Sequence, residues 1–229
     1  MAINMQQIQT LITASLLLSL AFSGVALADE SSSRDEKMLV NITRSLSSID
    51  VQHNGKTVTI QREQDTANRM NPDFTLTSRK CPPFCIQPLT IASGVETIGE
   101  LEILEYLKRR AAGDDSILVI DSRGPKWIVK GTIPGSVNIH YKKLSINADE
   151  DRMADIIEKQ FGAERLSKLW DFSDARTLVF FCNGMWCGQS PRNIRSLLKI
   201  GYPPAKIKWY RGGIQAWETM GLTTVKPEL

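Results

Sequence analysis

Two cysteines stand five residues apart in the segment Cys182-Asn183-Gly184-Met185-Trp186-Cys187-Gly188-Gln189-Ser190-Pro191-Arg192. The apolar run Thr177 to Phe181 leads directly into Cys182. Ser190-Pro191 reads as a helix N-cap followed by proline at the first helical position. A cysteine between a buried strand and a helix N-terminus meets free amides and the positive end of a helix dipole. That setting suits a thiolate, a persulfide carrier or a binder of oxyanions. The plainer alternative is a small buried residue at a strand end. Cys187 adds a second thiol that can resolve a persulfide or a sulfenic acid as a disulfide. Asn183, Gly184, Met185, Trp186, Gly188 and Gln189 carry no charge, and with Ser190 and Arg192 they are the candidate substrate-binding residues.

The charge around this segment has one sign. No Asp or Glu occurs from Ala175 to Trp217, whereas Arg176, Arg192, Arg195, Lys199, Lys206, Lys208 and Arg211 do. This pattern favours an anionic substrate or a stabilised thiolate, with a solvated basic face as the alternative. A second cysteine pair lies in Cys81-Pro82-Pro83-Phe84-Cys85. The prolines fix a tight, stiff loop. Four cysteines allow three pairings. A structural Cys81–Cys85 disulfide is one reading, and docking over the active-site loop with exchange to Cys182 or Cys187 is another.

The elements that must position these residues follow from local pattern. Ile49–Val51 and Thr57–Ile60 flank His53-Asn54-Gly55-Lys56, a hairpin signal because Asn and Gly tolerate positive φ. Thr97 to Arg110 places Ile98, Leu101, Ile103, Leu104 and Leu107 near helical spacing, with Thr97 as cap and Glu100 completing a capping box. Ile117–Ile120 reads as a buried strand ending in Asp121, Asp155–Leu169 as a helix, Ile207–Tyr210 as a strand and Gly212–Met220 as a last helix. Strands alternating with helices predict an α/β fold with a central parallel sheet.

These residues resemble the rhodanese-like domain family. Asp121-Ser-Arg-Gly-Pro-Lys-Trp127 with Gly131-Thr-Ile-Pro-Gly-Ser-Val-Asn-Ile139 is similar to its first signature. Thr177 to Cys182 with Gly201-Tyr202 and Trp209-Tyr-Arg-Gly-Gly-Ile-Gln-Ala-Trp217 is similar to its second. The resemblance covers about Val95 to Val225. It implies a small α/β domain in which Cys182 takes up a sulfane sulfur as a persulfide. It also implies that Asp121 and Arg123 are a structural pair holding the loops. Three departures stand out. Thr132 replaces a usual histidine. Ser190 lies eight positions after the cysteine rather than six. The loop lacks the usual arginine, for which Arg192 or Arg211 would have to substitute. Cys187 to Arg192 also mimics the family's Cys-x4-Arg spacing, so Cys187 is an alternative nucleophile; Cys182 is preferred because it sits at the strand end.

The chain is read as a signal peptide (1–28), an N-terminal extension with the hairpin and the CPPFC loop (29–94) and a rhodanese-like domain (95–229). Met1 to Ala28 has no charged residue, an apolar core at Leu11–Leu20 and a small-x-small Ala26-Leu27-Ala28. This predicts export, to the periplasm, with an uncleaved anchor as the alternative. Asn41-Ile42-Thr43 matches a glycosylation acceptor. The 229 residues are 42% apolar and 23% charged, which argues against collagen, coiled coil and wholesale disorder. The net charge of +3 gives no case for a nucleic-acid partner. His53 and His140 are the sole histidines, which argues against a histidine-rich metal site; no metal or organic cofactor is indicated.

The expected activity is an exported sulfurtransferase that moves sulfur from a small anionic sulfur or selenium donor to a thiol acceptor. The alternatives are a thiol–disulfide redox protein and a non-catalytic carrier of sulfur or oxyanions. Phosphate-ester hydrolysis ranks last, because the loop has no arginine and no nearby acid to protonate a leaving group.

Overall fold

The computed structural model describes residues 40–145, 148–167 and 169–227. The expected signal peptide and the charged lead-in that follows it lie outside the described residues. The first element is a hairpin of β1 (Ser48–His53) and β2 (Lys56–Gln61). Asn54 and Gly55 turn it with φ of 50° and 76°, as a two-residue turn with both central φ positive requires. Ile49, Val51 and Ile60 lie on one face and are buried. On the other face the Thr59 hydroxyl donates to Asp50 at 2.6 Å.

Five parallel strands form the central sheet: β3 (Glu96–Ile98), β4 (Ile117–Asp121), β5 (Val137–Asn138), β8 (Thr177–Phe181) and β9 (Ile207–Tyr210). Their spatial order is β3-β9-β8-β4-β5. Helices α1 (Glu100–Ala111), α2 (Pro125–Ile128), α3 (Glu150–Lys159), α4 (Gln189–Lys199) and α5 (Gly213–Thr219) connect or flank them. Between α3 and β8, Glu164–Leu166 (β6) and Leu169–Asp171 (β7) make a small antiparallel pair. Strand β4 is buried along its whole length, as a central strand covered on both faces must be. Its side chains divide by parity. Leu118 and Ile120 join Phe180, Ile194 and Leu197 on one face. Ile117 and Val119 join Phe181, Ile103, Leu107, Ile214 and Trp217 on the other.

The hairpin packs into this second layer, where Ile49, Val51 and Ile60 share the core with α1 and α5. The chain's last described turn returns to it: Thr223 N–H donates to Gln61 O at 3.0 Å, and Thr132 and Val225 exchange backbone bonds of 2.8 and 3.0 Å. Thus residues before 95 complete the core of the parallel domain. No helix among the described residues is long and apolar enough to cross a membrane.

Two expected helices have other boundaries. Helix α1 begins at Glu100 behind Gly99, and the Glu102 carboxylate accepts from the Gly99 N–H at 2.9 Å. Thr97 instead pairs with Trp209 as part of β3, because sheet pairing overrides the local cap signal. Leu101 is consequently 53% exposed. The expected helix at Asp155–Leu169 is α3, shifted to Glu150–Lys159 and capped by Asp149, whose side chain accepts from Arg152 N–H. Gly162, at φ 72°, turns the chain out of the helix. Leu166 and Leu169 continue a helical spacing but are 50% and 74% exposed.

Candidate active site

Strand β8 delivers Cys182 to the C-terminal edge of the sheet, and the loop 183–188 carries the chain into α4. The loop folds on itself through Cys187 N–H to Gly184 O at 2.9 Å. Its base is held by α5, whose first amides would otherwise lack partners. Ile214 N–H donates to Cys182 O at 3.0 Å and Gln215 N–H to Asn183 O at 2.9 Å. This close approach needs Gly213, which has φ 57°. A Cβ there would stand 2.3 Å from Cys182 O and 2.8 Å from Gly184 N. Gly213→Ala is therefore expected to cost at least about 1 kcal/mol from the left-handed φ alone, and more from the clash. A thermal melt and a sulfur-uptake assay check this: both are expected to fall together, because the obstructed atoms are backbone of the active-site loop.

Both loop cysteines are free thiols, with Cys182 2% and Cys187 4% exposed. Burial opposes ionisation of Cys182. The Cys187 thiol, the Ser190 amide and hydroxyl, and the Gly184 amide oppose that penalty and bring its pKa from 9.0 down to about 7. Burial pushes the Cys187 thiol well above its ordinary value, and the hydrogen bond to Cys182 and the neighbouring thiolate raise it further. When protonated, the Cys182 thiol donates to Cys187 O at 3.3 Å. The pair thus divides its labour: Cys182 holds the negative charge and Cys187 keeps the proton.

A cavity of about 290 Å³ opens above them. Asn183, Cys187, Gly188, Gln189 and Arg192 line one side, with Trp127, Tyr141, Pro83 and Phe84 on the other. Cys187 lines this cavity, whereas Cys182 does not. The Asn183 side chain is buried with its Oδ1 unpartnered. Its Nδ2 faces Cys187 Sγ at 3.9 Å. The Arg192 guanidinium lies 5.3 Å from the Tyr141 ring centre and supplies the cavity's positive charge.

The remaining expected site residues are placed differently. Ser190 is not the N-cap: α4 begins two residues earlier than expected, at Gln189 behind Gly188. Its side chain is fully buried and, while Cys182 is protonated, donates to Ser122 Oγ at 3.0 Å. Gly184 abuts Gln215. Met185 is 48% exposed and does not line the cavity. Trp186 is also outside it, held between Phe84 (5.5 Å), Trp127 (6.1 Å) and the Arg79 guanidinium (3.8 Å above the ring). Its Nε1–H donates to Gln215 Oε1 at 2.8 Å.

Cys81 and Cys85 form a disulfide with Cα atoms 4.7 Å apart. The loop they close lies over the active-site loop. Gln87 N–H donates to Met185 O at 2.8 Å, and Arg211 donates to Gln87 O at 2.8 Å and Pro88 O at 3.2 Å. Arg211 is thereby committed to holding this loop and cannot replace the missing loop arginine. Three other basic residues of the run are also structural. Arg176 bonds Gln160 O, Lys206 bonds the carbonyls of Phe172, Ser173 and Ala175, and Lys208 pairs with Glu96 at 2.8 Å. The anion-directed charge is accordingly narrower than the sequence suggests, and it sits on α4.

Asp121 and Arg123 form a fully buried pair behind the site. Arg123 donates to Asp121 at 2.6, 2.9 and 3.0 Å and to Gly131 O at 2.5 Å. Thr132 takes part: its hydroxyl donates to Asp121 Oδ2 at 2.7 Å. Among the described residues no three His, Cys, Asp or Glu side chains gather as a metal-ligating group. Gln87 and Tyr141 are site residues that sequence reasoning did not single out, and Gln215 entered it only as a position of the second signature. Pro83 and Phe84 entered it only through the proline-stiffened CPPFC segment, whose destination is a long-range contact.

A parallel sheet with a free thiol pair at its C-terminal edge, a helix start beneath it and a buried Asp–Arg pair beside it defines a cysteine-based α/β domain. The rhodanese-like domain model matches residues 104–220, half of the chain, and the chain belongs to that family. Its function is accordingly sulfur transfer or a related one. Solved structures it is similar to include a protein of unknown function from Rhodopseudomonas palustris described as a possible tyrosine phosphatase (19% identity, 59% of this chain and 88% of that one, TM-score 0.41). Another is thiosulfate sulfurtransferase from Pseudomonas aeruginosa (16% identity, 58% and 21%, TM-score 0.39). A third is the As-Sb reductase from Leishmania major (21% identity, 55% and 78%, TM-score 0.37). Among curated proteins none matches the chain.

Proposed function

We propose that this protein is an exported sulfurtransferase in which Cys182 attacks the outer sulfur of a small anionic donor. The observation that carries the reading is the buried Cys182 thiol at the C-terminal end of β8, its pKa brought to about 7 by donors from Cys187, Ser190 and Gly184. The thiolate displaces the donor's leaving group and becomes Cys182–S–S⁻. Arg192 balances the donor's charge in the cavity, and the loop amides hold the persulfide. An acceptor thiolate then takes the outer sulfur, and Cys182 returns as thiolate. Export is supported by the uncharged leader and by the Cys81–Cys85 disulfide, which persists in an oxidising compartment.

A second reading rests on the adjacency of the two thiols. Cys187–SH can attack the inner sulfur of the Cys182 persulfide, giving a Cys182–Cys187 disulfide and releasing hydrogen sulfide. This makes the pair redox-active and requires a reductant thiol to reset it.

The test is sulfur uptake from thiosulfate or a polysulfide as a function of pH. The rate is expected to rise with ionisation of Cys182, with a midpoint near 7, and to level off above it. A midpoint near 9.0, the ordinary thiol value, would remove the basis of the proposal.

A further inference from the structure

Part of the cavity that Cys187 lines is built by residues outside the family domain. Pro83 and Phe84 contribute to its wall, and both precede the matched residues 104–220. The Cys81–Cys85 bridge closes the loop around them. Two prolines bring no amide donor to this loop, and Phe84 N–H is committed to Lys80 O at 3.0 Å. The Cys85 carbonyl is likewise taken, by Gln87 Nε2 at 2.9 Å. The side chains that Pro83 and Phe84 offer the cavity are apolar rings, which supply bulk rather than binding. Phe84 lines the cavity while 38% exposed, which places its ring at the mouth.

This wall is held from several directions. Gln87 N–H ties the loop to Met185 O, and Arg211 ties it to the start of α5 through the Gln87 and Pro88 carbonyls. The Phe84 ring meets Trp186 edge-on at 5.5 Å between centres, and the Arg79 guanidinium covers the same indole at 3.8 Å. Trp186 is fixed in turn by its bond to Gln215. The space left is about 290 Å³. That is the bottom of the roughly 300–1,000 Å³ range of small-molecule sites.

We propose that the disulfide-closed Cys81–Cys85 loop determines specificity by size: Phe84, held by the bridge and by Trp186, lets small reagents reach the loop thiols and excludes those with a bulky group behind the reacting atom. The discrimination is steric, a clash built against the wrong ligand rather than a contact made to the right one. Without the bridge the loop gains backbone freedom and Phe84 loses its fixed position. The size limit on access to the two thiols stands on this geometry alone. Its consequence for sulfur donors rests on the sulfurtransferase reading.

The experiment has two arms on the mature protein. In the first, the loop thiols are alkylated by iodoacetamide or by N-benzyl-iodoacetamide, both neutral; the thiolate displaces iodide and a thioether forms. Mass spectrometry counts the product at Cys182 and Cys187, and each rate is divided by that of the same reagent with N-acetylcysteine. Wild type is expected to favour the small reagent about tenfold or more, the range of steric discrimination in a pocket. Phe84→Ala and Cys81→Ser/Cys85→Ser are each expected to bring that preference down to about threefold or less. Phe84→Ala keeps the bridge and removes a partly exposed ring, so the test does not depend on the bridge variant folding. In the second arm the donors are methanethiosulfonate and benzenethiosulfonate, each with one negative charge. The Cys182 thiolate attacks the outer sulfur, the donor's S–S bond breaks, the sulfinate leaves with the electron pair, and Cys182–S–S⁻ forms. Sulfur uptake is expected to show the same preference and the same relaxation. Equal relative rates of the two alkylating reagents in wild type, or a preference unchanged in Phe84→Ala, overturns the assignment of the wall. A preference that relaxes in Phe84→Ala but survives in a folded Cys81→Ser/Cys85→Ser overturns the part given to the disulfide. Selective alkylation that relaxes in both variants, with no sulfur uptake from either donor, overturns the sulfurtransferase reading and leaves the wall in place.

Discussion

Asp121→Ala is expected to destabilise the protein by about 3–5 kcal/mol, because it leaves the Arg123 guanidinium charged and buried without its partner. Both side chains have no exposed surface, and the pair is joined by three hydrogen bonds. The same carboxylate accepts from Arg123 N–H and from the Thr132 hydroxyl, so four groups lose an acceptor at once. For a domain of this size the loss corresponds to roughly 10 °C in Tm. Removing both charges, as in Asp121→Leu/Arg123→Met, is expected to recover part of it, since a missing pair costs less than a broken one. The Gly131 carbonyl would still lack its donor. Sulfur uptake should suffer too. Ser122 follows Asp121, accepts from Ser190 and donates its amide to Phe181 O at 3.0 Å, so disturbance at the end of β4 reaches the Cys182 cradle. Thermal denaturation of the three proteins checks this; a loss below about 1 kcal/mol in Asp121→Ala would show that Arg123 finds another partner.

The second large effect concerns the division of roles between the two loop cysteines. Cys182→Ser is expected to abolish sulfur uptake with the fold intact, because a serine hydroxyl cannot carry the persulfide. Cys187→Ser keeps a donor beside Cys182 and should retain uptake. Cys187→Ala removes that donor. A hydrogen bond to a charged group is worth about 1.5–3 kcal/mol, so the midpoint of the pH–rate profile should move up from about 7 by roughly one pH unit or more. Stopped-flow uptake across the pH range for Cys187→Ser and Cys187→Ala measures it. Identical midpoints in the two variants would mean that Ser190 and Gly184 alone set the charge on Cys182.

The three central strands were legible because β4 and β8 are continuous apolar runs and β9 a short, largely apolar one, and the hairpin because it carries Asn-Gly at the turn; the short edge strands β3 and β5, Glu-Thr-Ile and Val-Asn, carry no such signal. Parity along β4 and β8 then decides which helices cover which face. The site's centre was legible for a related reason: a cysteine directly after a buried strand must emerge at the sheet's C-terminal edge. Boundaries set by pairing were not. Thr97 has a cap's chemistry but forms part of a sheet edge, and Leu166 and Leu169 keep a helical interval across a turn made by Gly162. Ser190 reads as a cap but lies inside the first turn, turned toward Ser122. The basic run also read as one field, whereas Lys206, Lys208, Arg176 and Arg211 are drawn onto carbonyls and Glu96 by contacts distant in sequence. The contribution of the CPPFC loop was the least legible. Which cysteines pair depended on where the loop docks, and that is fixed by Gln87, Arg211 and the Trp186 contacts.

The most direct test of the central claim is the intact mass of the reduced mature protein after exposure to thiosulfate or a polysulfide, with Cys182→Ser and Cys187→Ser alongside. The predicted result is a gain of one sulfur atom in wild type and in Cys187→Ser, and none in Cys182→Ser. A gain that survives in Cys182→Ser but disappears in Cys187→Ser would contradict the assignment and make Cys187, at the cavity wall, the nucleophile. No sulfur gain in any protein, with loss of two hydrogens in wild type alone, would replace sulfur transfer by thiol–disulfide exchange.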